Sequence, residues 1–242
     1  MPSLAWIPDD APADTFPPVN QAFDEPNGLL CAGGDLSPER LLAAYSRGIF
    51  PWFSDDEPIL WWSPSPRTLL SAEQFHVSRS MRRVLQQHPY RLSIDENFAA
   101  VIQACAAPRP NSGGTWITED MQAAYTALHE HGYAHSCEVW DGEELVGGIY
   151  GVAIGGAFCA ESMFSHRSNT SKLALWTLLQ QLQRWGFRLF DCQLWNQHLD
   201  SLGAFEVERD EFVKRLNQSI QLPDHKKTWE IDRDLVHNLR HE

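Results

Sequence analysis

Apolar positions recur along this chain in two periods. Leu41, Leu42 and Tyr45 follow Ser37-Pro38-Glu39 at helical spacing, with Ser as cap, Pro in the first turn and Gly48 as stop. The same period predicts helices over residues 78–87, stopped by His88-Pro89, and over 96–106. Thr118 with Glu119 and Asp120 predicts a helix start, running to Gly132. Further helices are predicted over 170–185, with Gly186 as stop, near 198–202 and over 210–217. A period of two predicts strands over 90–94, 134–140, 144–154, 157–163, 188–193 and near 205–207. Asp141-Gly142 and Gly155-Gly156 supply the turns of an antiparallel meander.

Residues before about Asn27 are rich in Pro and Asp and lack periodicity, which predicts an irregular arm that packs late or stays mobile. Residues 48–66 hold five prolines or glycines and the tryptophans Trp52, Trp61 and Trp62, an aromatic-walled connection. A domain boundary is expected near Pro66, dividing 1–66 from 67–242. The pattern of the second part is α+β with a mixed sheet.

Composition narrows the picture. A chain of 242 residues buries a core without staples. Cys31, Cys105, Cys137, Cys159 and Cys192 form no CxxC pair, so reduced thiols in the cytoplasm are expected, with no zinc ribbon. No stretch of 18 apolar residues suggests a membrane span, and no secretory signal is expected. The net charge of −13 argues against nucleic acid, but −8 of it falls in residues 1–66. Arg79, Arg82, Arg83 and Arg91 cluster without an acid between residues 76 and 91. That cluster reads as a solvated helix face or as a phosphate-binding patch.

Two strand-like segments carry polar groups that a core strand does not need. One is Phe158 to Ser165, with Glu161; the other is Phe190 to Asn196, with Asp191 and Gln193. A carboxylate buried without partners is costly, so these groups form either a satisfied network or a site. From spacing alone, Asp191 and Gln193 read first as a network pinning the strand to neighbouring helices. Glu161 likewise reads as a salt bridge, with Arg167 a partner to hand. Leu175, Leu178 and Leu182 form one helix stripe, ordinarily core. No Gly-rich loop follows the meander, and no GxxxxGK[ST] loop occurs, so neither a pyrophosphate cradle nor an ATP site is implied. Cys159, His166 and Asp191 make a poor thiol triad, since nothing near Cys159 in sequence lowers its pKa.

Glu25-Pro26-Asn27-Gly28-Leu29-Leu30, Gly33-Gly34-Asp35-Leu36-Ser37, Arg47 to Phe53, Trp61-Trp62-Ser63-Pro64 and Gly114 to Thr118 join the two segments in one ordered series. Together they resemble the leucyl/phenylalanyl-tRNA–protein transferases, from about Asp24 to Asn217. The resemblance implies an acetyltransferase-like (GNAT-type) C-terminal domain with a mixed, mostly antiparallel sheet behind a small N-terminal domain. It implies transfer of Leu, Phe or Met from aminoacyl-tRNA to the N-terminal amine of proteins beginning with Lys or Arg, marking them for N-degron degradation. Asp191 and Gln193 would then orient and deprotonate the amine, with Glu161 and Asn196 in support. Ile149, Phe158, Met163, Leu175, Leu178, Leu182 and Phe190 would form the aminoacyl pocket, Trp52 and Trp116 would hold the terminal adenosine, and Arg79, Arg82 and Arg83 would touch the tRNA backbone. Strict alternation sets Phe158 on the opposite face from Glu161 and Met163, so a β-bulge is needed to bring them to one site. No cofactor or metal is implied, and a cytoplasmic monomer is expected. Two alternatives are a non-catalytic tRNA-binding adaptor and an acyltransferase of the same fold with another donor.

Overall fold

A computed structural model describes residues 3–87, 89–108, 115–225 and 228–238. His88 and Gly114, used above as a helix stop and a motif residue, lie outside them.

The N-terminal part forms a four-stranded sheet, in the order β1-β2-β4-β3. Its strands are β1 (Ala5–Ile7), β2 (Leu29–Gly33), β3 (Phe50–Pro51) and β4 (Leu60–Trp62), and helix α1 (Pro38–Tyr45) lies between β2 and β3 in sequence. The arm is neither irregular throughout nor loose. Its β1 pairs in parallel with β2, and Ile7 is buried. The buried Arg40 guanidinium donates to Ala11 O at 2.8 Å and Pro12 O at 3.3 Å. Those partners lie nearly thirty residues away, so local pattern could not announce them. The connection over residues 48–66 likewise contains β3 and β4. Trp61 is fully buried and donates to Gly33 O at 2.9 Å.

A seven-stranded sheet follows, ordered β11-β5-β10-β9-β8-β7-β6. Its strands are β5 (Arg67–Leu70), β6 (Arg91–Ile94), β7 (Ala134–Asp141), β8 (Glu144–Ile154), β9 (Ala157–Ser165), β10 (Leu189–Gln193) and β11 (Phe205–Val207). Helices α2 (Arg79–Gln87), α3 (Phe98–Ala106), α4 (Glu119–Glu130), α5 (Thr170–Arg184), α6 (Gln197–Ser201), α7 (Arg209–Ile220) and α8 (Arg233–Asn238) accompany it. Only β9 and β10 pair in parallel, joined by α5; the rest are antiparallel, so the sheet is mixed and mostly antiparallel. The Thr118 cap is present, its hydroxyl accepting from Met121 N at 3.2 Å. Strand β5 escaped the sequence reading because all four of its residues are buried, leaving no polar alternation to see.

Neighbouring residues of the central strands serve opposite faces. Ile149, Ala153, Phe158 and Phe190 meet α2 and α5 in one apolar cluster. Tyr150, Val152 and Cys159 meet α1, α3 and α4, and Leu189 meets α7.

Candidate active site

The pairing of β8 with β9 slips at one place: Tyr150 faces Ser162, but Gly151 faces Ala160. Glu161 is the extra residue, the bulge that strict alternation required. Gly151 permits it, since a Cβ there would lie 2.3 Å from Cys159 O and 2.6 Å from the Phe158 ring. A second slip in β10 passes over Cys192 and leaves Gln193 at φ +63°. Two adjacent strands thus bulge side by side, which re-aims their polar residues.

The half-buried Glu161 carboxylate collects three donors. Tyr45 Oη reaches Oε1 at 2.7 Å, Tyr125 Oη reaches Oε2 at 3.0 Å, and Gln193 Nε2 reaches Oε1 at 2.7 Å. The two tyrosine hydroxyls also touch each other. Burial drives the Glu161 pKa up to about 7; the tyrosine bonds oppose the rise, and the charge of Asp191 adds to it. Burial and the nearby Glu161 charge hold both tyrosines well above the usual phenol range, so they stay protonated donors.

Asp191 occupies a different environment. It is fully buried, and Arg67 grips both its oxygens, Nε to Oδ1 at 2.9 Å and Nη2 to Oδ2 at 2.7 Å. The Gln193 backbone N–H donates to the same Oδ1 at 2.9 Å. Arg67 also donates to Gly48 O at 3.2 Å, and its guanidinium lies over the Phe50 and Phe212 rings, 4.8 and 4.5 Å from their centroids. Asp191 therefore shapes the strand end on which Gln193 sits, while Glu161 is the carboxylate that faces open space. Asn196 caps α6, its Oδ1 accepting from Leu199 N at 2.9 Å, which leaves its amide N–H groups to offer.

Two cavities meet at these residues. One, about 240 Å³, is lined by Ile149, Met163, Leu175 and Phe190 with Trp116, Cys192 and Leu199. A cavity of about 150 Å³ with apolar walls already holds benzene, so this one suits a phenyl or isobutyl group. The other, about 250 Å³, is lined by Phe50, Pro51, Trp52, Gln193 and Leu194. Trp116, Glu161, Cys192 and Asn196 border both. Of the seven residues expected in an apolar pocket, Ile149, Met163, Leu175 and Phe190 line this cavity. Phe158, Leu178 and Leu182 do not; they are buried in the apolar core, Leu182 also bordering a separate cavity beside Phe190.

Trp52 is 41% exposed, its ring tilted 5.5 Å from Trp62. Trp116 is partly buried at the junction of the cavities. Arg79, Arg82 and Arg83 are exposed on α2 and enter no ion pair among the described residues, whereas Arg91 pairs with Glu96. Arg167 pairs with Asp141 and Glu144, so it does not serve Glu161. Burial and the adjacent Asp191 push the Cys159 thiol well up, which excludes it as a ready nucleophile. Among the described residues no group of three His, Cys, Asp or Glu side chains suits a metal ion. Tyr45, Tyr125 and Arg67 were not foreseen as site residues. An Arg directly after Pro66 carries no local signal of Asp191, nor two helix tyrosines of Glu161, each partner lying more than thirty residues away.

Comparison with known proteins places the chain among relatives by sequence. The family model described as leucyl/phenylalanyl-tRNA protein transferase matches residues 69–217, and that of its N-terminal domain matches residues 34–65. The leucyl/phenylalanyl-tRNA–protein transferase of Pseudomonas fluorescens (strain SBW25) is 56% identical over 91% of this chain and 96% of that protein. Its counterpart in Alkalilimnicola ehrlichii is 53% identical over 96% and 90%, and that of Cellvibrio japonicus is 57% identical over 90% and 93%. A solved structure, that of L-PGS from Bacillus licheniformis, aligns over 71% of this chain and 57% of that one at 12% identity, with a TM-score of only 0.36. With a model spanning residues 69–217 and relatives above half identity along nearly the whole length, this chain belongs to the leucyl/phenylalanyl-tRNA–protein transferase family.

Proposed function

We propose that the two joined cavities form peptide bonds, moving Leu, Phe or Met from aminoacyl-tRNA to the N-terminal amine of an acceptor protein beginning with Lys or Arg. The observation that carries this reading is Glu161, a bulged carboxylate at the junction of an apolar cavity and an aromatic-walled one. The apolar cavity takes the aminoacyl side chain, and Trp52 with Trp116 stacks on the terminal adenosine. The ester carbonyl then lies at the junction, near Glu161, Gln193 and Asn196. Acceptors of this kind bring two positive charges, and a carboxylate there suits them.

The acceptor nitrogen attacks the ester carbonyl carbon, the carbon–oxygen bond to the ribose breaks, and the ribose oxygen leaves with a proton. Glu161 takes the proton that the ammonium must lose before attack. Asp191 acts on the same site at one remove: with Arg67 it sets the Gln193 turn, and Gln193 orients Glu161. This shifts deprotonation, expected above from Asp191, to the carboxylate that faces the cavities. Ester-to-amide exchange is downhill, so the reaction needs no nucleotide. Exposed Arg79, Arg82 and Arg83 meet the tRNA backbone. We assign the catalytic sheet, from Arg67 onward, to an acetyltransferase-like domain, the smaller sheet to a separate N-terminal domain, and the protein to the cytoplasm as a monomer. The test is transfer of labelled Leu or Phe from charged tRNA to a peptide starting with Lys or Arg. A peptide starting with Asp should receive none, and binding of charged tRNA without transfer would favour an adaptor instead.

A further inference from the structure

The chain after residue 217 lies beyond the match to the family model, yet part of it is built into the core. Trp229 is 7% exposed and Leu235 5%. His135 of β7 stacks on the Trp229 indole, with centroids 3.4 Å apart and planes 7° apart. The His135 ring is itself fixed, Nδ1 lying 2.6 Å from Asp95 Oδ2 and Nε2 lying 3.1 Å from Gly132 O. Trp185 meets the indole edge-on at 5.0 Å. The next residues along are tied to α5: Asp232 N donates to Gln181 Oε1 at 2.8 Å, and Arg184 pairs with Asp232 and Asp234.

Trp229 also approaches Phe158, at 6.5 Å and a 41° tilt, and Phe158 stacks on Phe190 at 5.4 Å and 20°. Phe190 is a wall of the apolar cavity. Three rings in series thus run from the C-terminal segment to the cavity. Close-packed interiors transmit displacement, because a void is as unfavourable as an overlap.

We propose that Trp229 is a specificity-determining residue: through Phe158 and Phe190 it sets the depth of the apolar cavity, and so the choice between Leu and Phe donors. The proposal rests on the reading of that cavity as the aminoacyl pocket. A smaller residue at 229 opens space into which Phe158 leans and Phe190 follows, deepening the cavity in favour of the larger donor side chain.

The experiment compares full-length wild type, Trp229→Leu and Trp229→Phe, measuring kcat/KM for Leu-tRNA and for Phe-tRNA and the KM for the acceptor peptide. A single methylene of fit is worth about 10–200-fold, so a partial displacement should raise the Phe/Leu ratio about three- to tenfold in Trp229→Leu. Trp229→Phe should fall between that variant and wild type, and acceptor KM should hold. A general loss of stability lowers both donor rates together, so a folded Trp229→Leu with the wild-type ratio overturns the proposal. If circular dichroism shows Trp229→Leu unfolded, Trp229→Phe decides: a raised ratio supports the proposal and an unchanged one overturns it. Wild type that transfers neither residue fails the aminoacyl-pocket reading itself, a result distinct from an unchanged ratio.

Discussion

Replacing Tyr45 with Phe removes one hydroxyl and little else, and its consequence can be worked from the site. Tyr45 donates to Glu161 Oε1 at 2.7 Å, and that bond favours the ionised carboxylate. Glu161 titrates near 7 with the bond present. A hydrogen bond to a charged group contributes about 1.5–3 kcal/mol, and one pKa unit corresponds to about 1.4 kcal/mol, so losing the bond should raise the Glu161 pKa by about one to two units. A protonated Glu161 cannot accept the ammonium proton. The transfer rate should therefore climb as pH rises through about 7 in wild type, and about one to two units higher in Tyr45→Phe. The acceptor amine titrates in the same range, but identically for both proteins, so the difference between the two profiles isolates Glu161. The assay is single-turnover transfer to an Arg-initiated peptide between pH 5.5 and 9, on a time scale short against hydrolysis of the donor ester. Coincident profiles for wild type and a folded Tyr45→Phe would refute Glu161 as the proton acceptor.

Glu161→Gln should lower transfer by about 10²–10⁴-fold. The same change should raise stability at pH 8 and do little at pH 5: the folded pKa exceeds the unfolded one, so a contribution present at acid pH is lost as pH rises through about 7, on the order of 2–3 kcal/mol, read from urea unfolding at both pH values. Arg67→Met strands the buried Asp191 and should cost about 3–5 kcal/mol in the same assay, with Asp191→Asn restoring part of it; an Arg67→Met protein as stable as wild type would contradict the buried pair. Arg79, Arg82 and Arg83 replaced together by Ala should weaken tRNA binding and flatten its log–log salt slope by about 0.7–0.9 per lost phosphate contact, while an aminoacyl-adenosine donor is used as before. On tRNA mischarged with other residues, rates should follow the attached side chain, Ile and Val being poorer than Leu; rates that follow the tRNA body would remove the pocket as selector.

Most helices and the meander strands were legible because each carries its own period, cap or stop. Thr118 capped α4 as its spacing predicts, and Glu144–Ile154 and Phe205–Val207 stand where alternation set them. The polar residues in apolar strands, Glu161, Asp191 and Gln193, marked either a satisfied network or a site for the same reason: polar groups do not enter a core strand without partners. The partners themselves were not legible. Tyr45 and Tyr125 stand 116 and 36 residues from Glu161, and Arg67 stands 124 from Asp191. No periodicity joins positions so far apart. The division of labour between the two carboxylates was also hidden, since two acids in adjacent strands look alike until one is seen locked on an arginine and the other aimed into a cavity.

The order of elements, the α+β class and the family were thus written in the chain, in signals that act over a few residues or repeat as motifs. The bulge at Glu161, the turn at Gln193, the grip of Arg67 on Asp191 and the withdrawal of Phe158, Leu178 and Leu182 into the apolar core were decided only when the sheet closed. A one-residue change of register reverses which side chains face the site, and register depends on every strand paired with it.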